Sequence, residues 1–457
     1  MTEDPTELLP TTRRLLEHRL ARAQTQGRAP SVAAGLVRDG ALVWSGGRGS
    51  VSGAPPTTDT QYRIGSITKT FVAVLVLRLR DEGRLDLADP LEAHLPGTGA
   101  GDRTLLQLLS HTAGIASETP PPWWERTDGA LRPALTDLLG DQPVKHPAGR
   151  RFHYSNPGFA LLGAMVARLR ARPFDEVLSS DILDPLGLRR TTLMPVAPHA
   201  HGWAVHPWAD LLLPEPAHDA GLMAPAGQLW STVADLSRFA AFLLDGDDRV
   251  LPLATVQEMR EPVAPGGPDG PGYGLGLQSR GGPYGLVGHG GSMPGFLAGL
   301  DVAVDAGLAV VAFANATSGP DLGALVEDLV DVVATTEPRE PAPWVPLPTA
   351  EPDLLALTGP WYWGAAPYAV KLGAGRHLEL VTLGSRGRES RFRPEPDGRW
   401  TGLDGYYRNE TLTVVRDASG GVTHLDLGSF VLTREPYAPT PVVPGGVDPA
   451  GWAGGAS

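Results

Sequence analysis

The chain of 457 residues contains no cysteine. This absence excludes disulfide bonds, thiol catalysis and thiolate metal sites, although it indicates no particular compartment. Long apolar runs are absent as well, because residues 71–77 form the longest run and Arg78 ends it, far short of a membrane span. The N-terminus shows no basic segment followed by an apolar one, so the sequence predicts a soluble, cytoplasmic protein without a secretory signal.

Positive charge is also scarce. The formal net charge of −13 argues against nucleic acid or an anionic membrane surface as a partner. The hydrophobic share of 42% and the charged share of 19% suit a globular protein with a full core. At this length, two or three domains are expected.

Lysine is nearly missing, since the 38 basic residues include only Lys69, Lys145 and Lys371. Arginine stays charged at ordinary pH, whereas a lysine whose pKa is lowered can act as a base. Lys69 stands three residues after Ser66, so on a helix the two side chains share one face. This spacing predicts a serine nucleophile with a lysine base, and a serine cap beside a surface lysine is the alternative.

Strand patterns lie at both ends of the first 335 residues, with helical patterns between them. Two hairpins are predicted. In the first, the turn Arg38-Asp39-Gly40 separates residues 32–37 from 41–44, and in the second, the turn Asp305-Ala306-Gly307 separates residues 297–304 from 308–314. Residues 67–80 are apolar on nearly all faces and predict a buried helix that ends near Gly83. We therefore expect an α+β fold in which helices cover an antiparallel sheet, with the two chain ends of this region side by side.

The composition then changes. Residues 337–352 contain six prolines and predict a semi-rigid linker. Short alternating segments follow at 369–372, 377–382, 411–416, 423–427 and 430–433, a spacing typical of a small β-barrel. The predicted organisation is a catalytic domain at 1–336, the linker at 337–352, a barrel at 353–437 and a flexible tail at 438–457.

Two further motifs follow Ser66 and Lys69 along the chain. Tyr154 and Asn156 are two apart in a segment that precedes a helical pattern, so in an extended backbone both side chains face one cleft. A turn with an Asn-Pro helix start is the structural alternative. His289, Gly290, Gly291 and Ser292 form the third motif, in which the glycines permit close approach to a ligand and His289 supplies a polar or cationic group.

The order Ser-x-x-Lys, Tyr-x-Asn and His-Gly-Gly resembles the serine β-lactamase and penicillin-binding-protein superfamily, in particular its class C-like branch. That branch includes D-aminopeptidases and esterases. The resemblance implies a β-lactamase-like sheet with a helical subdomain. It covers roughly residues 10–335 and includes the segments 62–66, 82–87, 105–114, 154–156 and 230–236.

The resemblance implies an acyl-enzyme mechanism. Ser66 attacks a carbonyl, while Lys69 and Tyr154 share the general-base and general-acid roles in a coupled way that leaves the base open between them. The backbone N–H groups of Ser66 and Ser292 correspond to the oxyanion hole, and Asn156 corresponds to the residue that holds the amide of the acyl group.

His289 departs from this pattern, because many relatives carry lysine in a Lys-Thr-Gly motif at that position. This departure weakens a β-lactamase assignment, since the lysine helps to bind the carboxylate of a β-lactam.

Other residues have structural interpretations beside functional ones. Ser110 and His111 resemble a second dyad, but the framework favours a structural role. Trp123 and Trp124 are candidates for the wall of the cleft, and packing within the helical region is an equal alternative. The chain contains none of the common metal or nucleotide motifs, so we expect no metal and no cofactor.

The barrel segment resembles lipocalins in one feature. Trp361 follows Gly359-Pro360 on the first strand, and Arg434 near the last strand would pack on its ring. A structural role for this pair is favoured, with control of access to the cleft as the alternative.

The paired domains resemble the stand-alone penicillin-binding-protein-type thioesterases, which release and cyclise nonribosomal peptides. The resemblance implies that a peptidyl thioester, which a peptidyl carrier protein can carry, acylates Ser66 and that the amine of the peptide resolves the ester. The alternatives are a D-stereospecific peptidase, amidase or esterase that uses water, a β-lactamase, and an inactive peptide-binding module. The retention of Lys69 in so lysine-poor a chain argues against the inactive module.

Overall fold

The computed structural model describes residues 7–126, 134–264, 272–340, 343–349, 351–373, 375–384 and 387–437. The chain divides into two compact units, with the boundary between Arg339 and Glu340. The predicted linker spans this boundary, and its described residues between 338 and 349 form neither helix nor strand. The predicted tail, 438–457, lies outside the described residues.

The first unit combines helices with one large sheet and two small ones. The helices are α1 (Pro10–Gln26), α2 (Thr68–Asp81), α3 (Leu91–His94), α4 (Leu105–Leu109), α5 (Asn156–Arg170), α6 (Phe174–Leu178), α7 (Asp184–Leu186), α8 (Ala224–Gly227), α9 (Val233–Asp245), α10 (Leu253–Arg260) and α11 (Leu322–Thr336). The strands are β1 (Ser31–Arg38), β2 (Ala41–Gly49), β3 (Tyr62–Arg63), β4 (Trp203–Val205), β5 (Leu212–Pro214), β6 (Trp230–Ser231), β7 (Gly272–Tyr273), β8 (Gln278–Gly281), β9 (Leu286–Met293), β10 (Phe296–Ala303) and β11 (Leu308–Ala314).

The large sheet has seven strands in the order β2-β1-β11-β10-β9-β8-β7. Both predicted hairpins are present, because β1 pairs with β2 and β10 pairs with β11 in antiparallel register. Strand β1 also pairs with β11, from Val32 opposite Ala314 to Arg38 opposite Leu308. The prediction that the two ends of this region lie side by side in one antiparallel sheet is therefore confirmed.

Helices cover both faces of the sheet. On one face, apolar side chains of α1 and α11 pack on alternate residues of β1 and β11. On the other face, α2 and α9 pack together, with the rings of Phe71 and Phe239 stacked 3.8 Å apart. Among the described residues, no helix combines the length and the apolar character that crossing a membrane requires.

Helix α2 lies inside this second layer. Every residue from 68 to 77 is buried, as the apolar character of all its faces predicts. A 3-10 turn at Gly65–Ile67 leads into α2 and carries Ser66 at its centre. The helix thus holds Lys69 in the core while Ser66 remains partly exposed at its N-terminal end.

The second unit is a closed eight-stranded barrel. A short helix, α12 (Pro352–Leu355), precedes it. The strands are β12 (Gly359–Trp363), β13 (Ala366–Leu372), β14 (Leu378–Thr382), β15 (Ser390–Pro394), β16 (Trp400–Gly402), β17 (Thr411–Arg416), β18 (Val422–Leu427) and β19 (Phe430–Thr433).

The five predicted strand segments match β13, β14, β17, β18 and β19, whereas β15 and β16 were not predicted. Only Ser390 and Phe392 of β15 are buried, and arginines alternate with them on the exposed side. Strand β16 has three residues, too few to show a period of two. Closure of the barrel, rather than local pattern, therefore accounts for these two strands.

Trp361 and Arg434 pack together within the barrel unit, as the sequence predicts. The guanidinium carbon of Arg434 lies 3.9 Å from the ring centroid of the fully buried Trp361. Arg434 also donates hydrogen bonds to the carbonyl oxygens of Thr358 at 2.9 Å and Pro360 at 3.0 Å. The arginine thereby ties the residues that precede and begin β12 to the end of β19.

Replacing Arg434 with alanine is expected to destabilise the barrel by about 2–3 kcal/mol, because hydrogen bonds from a charged donor and a cation–π contact are lost together. Thermal unfolding of the full chain, followed by calorimetry, measures this change. Arg399→Ala is the matched control, since the exposed Arg399 side chain forms its ion pair with Asp397, two residues away on the surface. Equal effects of the two substitutions would contradict the closing role of Arg434.

Candidate active site

The first unit brings Ser66 and Lys69 together as the sequence predicts. The Lys69 Nζ lies 3.0 Å from the Ser66 Oγ and donates a second hydrogen bond, 2.6 Å long, to the carbonyl oxygen of Ala226. Because Ala226 lies in α8, this contact fixes the amine between two helices. The arrangement permits direct proton transfer between the serine hydroxyl and the lysine amine.

Burial changes the proton affinity of Lys69. The side chain is fully buried, and desolvation lowers its pKa from 10.5 to about 7, although the negative charges of Glu118 and Glu125 oppose the shift. A substantial neutral fraction is therefore present near pH 7. A neutral lysine amine beside a serine hydroxyl is the form that accepts the proton of the nucleophile.

Tyr154 completes the predicted catalytic group. The Lys69 Nζ lies 5.0 Å from the centre of the Tyr154 ring. Burial raises the pKa of Tyr154 above its ordinary value, and a side-chain hydrogen bond with Ser66 opposes this rise. The phenol thus keeps its proton, so Tyr154 can donate or relay a proton at Ser66, the predicted nucleophile.

Asn156 begins α5, as the alternative of an Asn-Pro helix start predicts, so the prediction of an extended segment is wrong at this residue. Ser155 caps the helix by accepting from the Gly158 N–H. The Asn156 Nδ2 donates a hydrogen bond of 2.6 Å to Glu118 Oε1. The other oxygen of Glu118 accepts from Trp124 Nε1 at 2.9 Å. Glu118 therefore connects Asn156 to Trp124, a link that no sequence motif indicated.

The two tryptophans differ in position. Trp124 is buried. A Cβ added to Gly227 would lie 3.6 Å from the Trp124 ring and would also be close to the backbone of Gly65, so the ring lies near Gly65. Trp123 is 57% exposed and packs on the guanidinium of Arg126, 4.7 Å from its ring centroid. Of the two candidates for a cleft wall, Trp124 adjoins the turn that carries the nucleophile.

Strand β9 passes beside this turn. Its pairing with β8 ends at Gly288, so residues 289–293 pair only with β10 among the described strands. A Cβ on Gly65, whose φ is 52°, would lie 2.6 Å from the Ser292 backbone nitrogen. A Cβ on Gly291 would lie 1.9 Å from the Ile64 carbonyl oxygen. Glycine at both positions lets the backbone of Ser292 approach that of Ser66, the pair predicted as the oxyanion hole.

His289 lies on the same strand, β9, three residues before Ser292. The side chain is buried, its Nε2 accepts a hydrogen bond of 3.0 Å from the Tyr273 hydroxyl, and its Nδ1 donates to the Gly290 carbonyl oxygen at 2.5 Å. Desolvation lowers the pKa of His289 to about 3. The sequence allowed either a neutral polar or a cationic side chain at this position. In the structure His289 is neutral, and both of its ring nitrogens already form hydrogen bonds.

Ser110 and His111 do not form a dyad. The Ser110 hydroxyl donates to the Leu106 carbonyl oxygen at 2.7 Å and lies 2.9 Å from the Thr112 hydroxyl. The Nδ1 of His111 instead accepts from the Ser155 N–H at 3.1 Å. The described residues also contain no cluster of metal-ligating side chains.

Sequence reasoning missed Glu118, Glu125, Tyr273 and the Ala226 carbonyl. Glu118 and Glu125 stand in a proline-rich loop, where a carboxylate is ordinarily a solvated surface group. Their effect on the pKa of Lys69 depends on the path of that loop, which no local pattern specifies.

The pH dependence of acylation is expected to follow Lys69. Since the neutral amine is the reactive form and its pKa is about 7, kcat/KM should rise about tenfold per pH unit below pH 7 and level off above it. Glu118→Gln should move this limb to lower pH, because the negative charge of Glu118 raises the pKa of Lys69. Stopped-flow acylation by a p-nitrophenyl ester measures both profiles.

Two controls accompany this measurement. Lys69→Met should abolish acylation, whereas Lys145→Met should leave the profile unchanged, since Lys145 is an exposed loop residue. Glu17→Gln removes an exposed carboxylate from α1, which packs on the sheet face opposite α2, and should not move the limb. A limb that stays in place in Glu118→Gln would contradict the electrostatic account.

Gly291→Ala is expected to reduce acylation by roughly 10²–10³-fold, the effect of losing one oxyanion-hole donor, because the new Cβ forces β9 away from the nucleophile turn. Gly299→Ala in β10 is the matched control, since its Cβ would meet Val326 at 3.4 Å and Leu322 at 3.8 Å, both ordinary contact distances. Burst kinetics with the same ester compare the two variants. Unchanged acylation in Gly291→Ala would show that this approach of β9 is not required.

Comparisons with known proteins agree with this architecture. The beta-lactamase family model matches residues 12–335, and a domain of unknown function (DUF7586) matches residues 350–434. Penicillin-binding protein 4 of Amycolatopsis lactamdurans is 30% identical over 266 residues, which are 54% of this chain and 69% of that protein. Beta-lactamase-like protein 2 of Dictyostelium discoideum is 28% identical over 252 residues, 51% of this chain, but the chain spans only 46% of that relative.

Among solved structures, SurE is 27% identical with a TM-score of 0.60, and the match covers 93% of this chain and 99% of SurE. A second SurE structure was determined with D-Leu. A D-stereospecific amidohydrolase from Streptomyces sp. is 29% identical with a TM-score of 0.57, and the match covers 72% of this chain and 98% of that enzyme. With a family model that covers the whole sheet and its helices, the chain belongs to the beta-lactamase family, and its first unit has the serine hydrolase fold of that family.

Proposed function

We propose that this chain is an acyl-transfer enzyme that forms an acyl-Ser66 intermediate and acts as a stand-alone thioesterase, releasing and macrocyclising nonribosomal peptides. The observation that carries the proposal is the buried Lys69 amine, 3.0 Å from the Ser66 hydroxyl and with a pKa of about 7. A base of this strength beside a serine is an arrangement for covalent catalysis at neutral pH.

The reaction has two halves. In the first, Ser66 Oγ attacks the thioester carbonyl, its proton passes to Lys69, the carbon–sulfur bond breaks, and the thiol leaves with a proton that Tyr154 relays. In the second, the terminal amine of the peptide attacks the ester and passes its proton to the Lys69–Tyr154 pair. The amide bond forms, and the Ser66 hydroxyl is restored. The substrate is a peptidyl thioester, free or bound to a carrier protein.

The presence of a barrel unit in the same chain supports the thioesterase over a simple amidase, because the stand-alone thioesterases that the sequence resembles pair a catalytic domain with such a barrel. The similarity to SurE covers 93% of this chain and therefore extends over the barrel as well as the catalytic unit. The similarity to the amidohydrolase covers 72%, about the length of the catalytic unit alone. The D-Leu in one SurE structure and the D-stereospecificity of the amidohydrolase support an acyl residue of D-configuration.

The charges near Ser66 support an amine as the acyl acceptor. His289 is neutral and bonded on both nitrogens, so it offers no cation to a substrate carboxylate, which argues against a β-lactam. Glu118 and Glu125 instead place negative charge near Lys69. Negative charge attracts an ammonium group and brings a terminal amine close to the ester.

A D-stereospecific amidase is the second candidate. It uses the same residues, but water resolves the acyl-enzyme. The observation that favours it is the match over 98% of the Streptomyces amidohydrolase at 29% identity.

Conversion of a linear peptide N-acetylcysteamine thioester that ends in a D-residue tests the proposal. We expect the cyclic peptide as the main product by mass spectrometry, because the terminal amine resolves the ester faster than water does. The epimer that ends in the L-residue is the matched substrate control and should react at least tenfold more slowly, a discrimination of about 1.4 kcal/mol.

The variant control is Ser66→Ala, which should give neither the cyclic product nor an acyl adduct on the protein. Linear acid as the sole product of the native protein would favour the amidase over the cyclase. An adduct that persists in Ser66→Ala would remove Ser66 as the nucleophile.

A further inference from the structure

His111 occupies an unusual position next to Tyr154. It follows α4 directly after Ser110, its φ of 56° lies in the left-handed region, and it is 1% exposed. A non-glycine residue in this region is strained unless its surroundings hold it there. What holds His111 is the segment that carries Tyr154.

Two hydrogen bonds connect His111 to that segment, one on each side of Tyr154. The His111 carbonyl oxygen accepts from the His153 N–H at 2.7 Å. The His111 Nδ1 accepts from the Ser155 N–H at 3.1 Å. One residue thus binds the backbone both immediately before and immediately after the tyrosine.

The imidazole also packs on the Tyr154 ring. The two ring centroids lie 4.1 Å apart, with 35° between the ring planes. Tyr273, the hydrogen-bond partner of His289, contacts the imidazole at 4.8 Å, and Phe159 of α5 contacts it at 5.1 Å. The His111 imidazole next to the Tyr154 ring is therefore itself held in place by its contacts with Tyr273 and Phe159.

The hydrogen bonds define the state of the imidazole. Since Nδ1 accepts, the proton lies on Nε2, and the described residues provide no hydrogen-bond partner for that nitrogen. Burial and the nearby Lys69 hold the pKa of His111 well below its usual value, so the ring is neutral. A buried donor without a partner is costly, and that cost argues that the ring has a role beyond ordinary packing.

We propose that His111 is a positioning residue that holds the Tyr154 phenol at Ser66, by bonding the backbone on both sides of the tyrosine and packing on its ring. This inference rests on the proposed acyl transfer. Proton relay needs the phenol within hydrogen-bond reach of the Ser66 oxygen, and a displacement of about 1 Å costs roughly a hundredfold in rate. His111 supplies a restraint on the backbone and the ring of Tyr154, which a hydrogen bond at the hydroxyl alone does not give.

Two variants separate the contributions of His111. His111→Asn retains a short side chain that tolerates the left-handed backbone and offers an acceptor, but it lacks the ring. His111→Phe retains a ring and loses the acceptor. Ser110→Ala is the matched control, since it removes two hydrogen bonds from the same turn without touching Tyr154.

A double-mutant cycle with Tyr154→Phe is the test. Acylation of the full chain by p-nitrophenyl acetate should slow roughly tenfold to a hundredfold in both His111 variants, with KM unchanged. Adding either His111 substitution to Tyr154→Phe should slow the reaction no further, because the group that His111 positions is already gone. Ser110→Ala should lower the melting temperature without this kinetic pattern.

Full additivity in the cycle would overturn the proposal, and so would equal rate losses in Ser110→Ala and the His111 variants. Crystal structures of the variants supply a readout that needs no turnover. We expect the Tyr154 hydroxyl to move away from Ser66 in both His111 variants, and an unmoved ring would also overturn the proposal. The absence of an acyl-Ser66 adduct in the native protein would refute the proposed function instead, while the crystallographic comparison would still decide the role of His111.

Discussion

The burial of one lysine amine is the constraint on which the catalytic unit depends. Lys69 is fully buried on a helix whose other residues from 68 to 77 are buried as well. Removing an ammonium group from water is costly, so the amine is held partly neutral and bonded to the Ala226 carbonyl oxygen. The enclosing layers of sheet and helix create this environment, whereas Lys145, on an exposed loop, keeps full access to water.

Desolvation shifts the pKa values of Lys69 and Tyr154 in opposite directions, and both shifts favour the uncharged form of the side chain. It lowers the pKa of the amine and raises that of the phenol, because in each case it penalises the charged form. The resting site therefore favours a neutral base and a protonated acid around Ser66. The negative charges of Glu118 and Glu125 moderate this effect and keep the pKa of the lysine near neutrality.

Sequence patterns predicted those parts of the molecule that short-range physics determines. The spacing of Ser66 and Lys69 on one helical turn, the apolar faces of α2 and the two hairpins all follow from periods of 3.6 and 2 residues. The resemblance to the β-lactamase and penicillin-binding-protein superfamily predicted that Tyr154 would lie with them. Asn156 shows the limit of such reasoning, because it faces Glu118 from the start of a helix rather than from an extended segment.

What the sequence did not indicate depends on contacts between distant segments. The Ala226 carbonyl lies 157 positions from Lys69, and its hydrogen bond exists only because α8 packs against α2. The neutral state of His289 results from burial and from Tyr273, not from its neighbours in the chain. In the barrel, β15 has one buried apolar residue, Phe392, and β16 has only three residues, so neither shows an apolar pattern from which a strand could be predicted, and barrel closure supplies their pairing.

The 3.0 Å separation of Lys69 Nζ and Ser66 Oγ has a chemical cost as well as a use. In the proposed acyl-enzyme, the ester on Ser66 lies beside the Lys69 amine, and an ester beside an amine tends toward the more stable amide. Transfer to Lys69 would end the life of the enzyme after one turnover. The hydrogen bond that the amine donates to the Ala226 carbonyl oxygen restrains its position and limits its approach to the acyl carbon. In the proposed acyl-enzyme, the restraint on Lys69 therefore hinders transfer of the acyl group from Ser66 to the lysine amine.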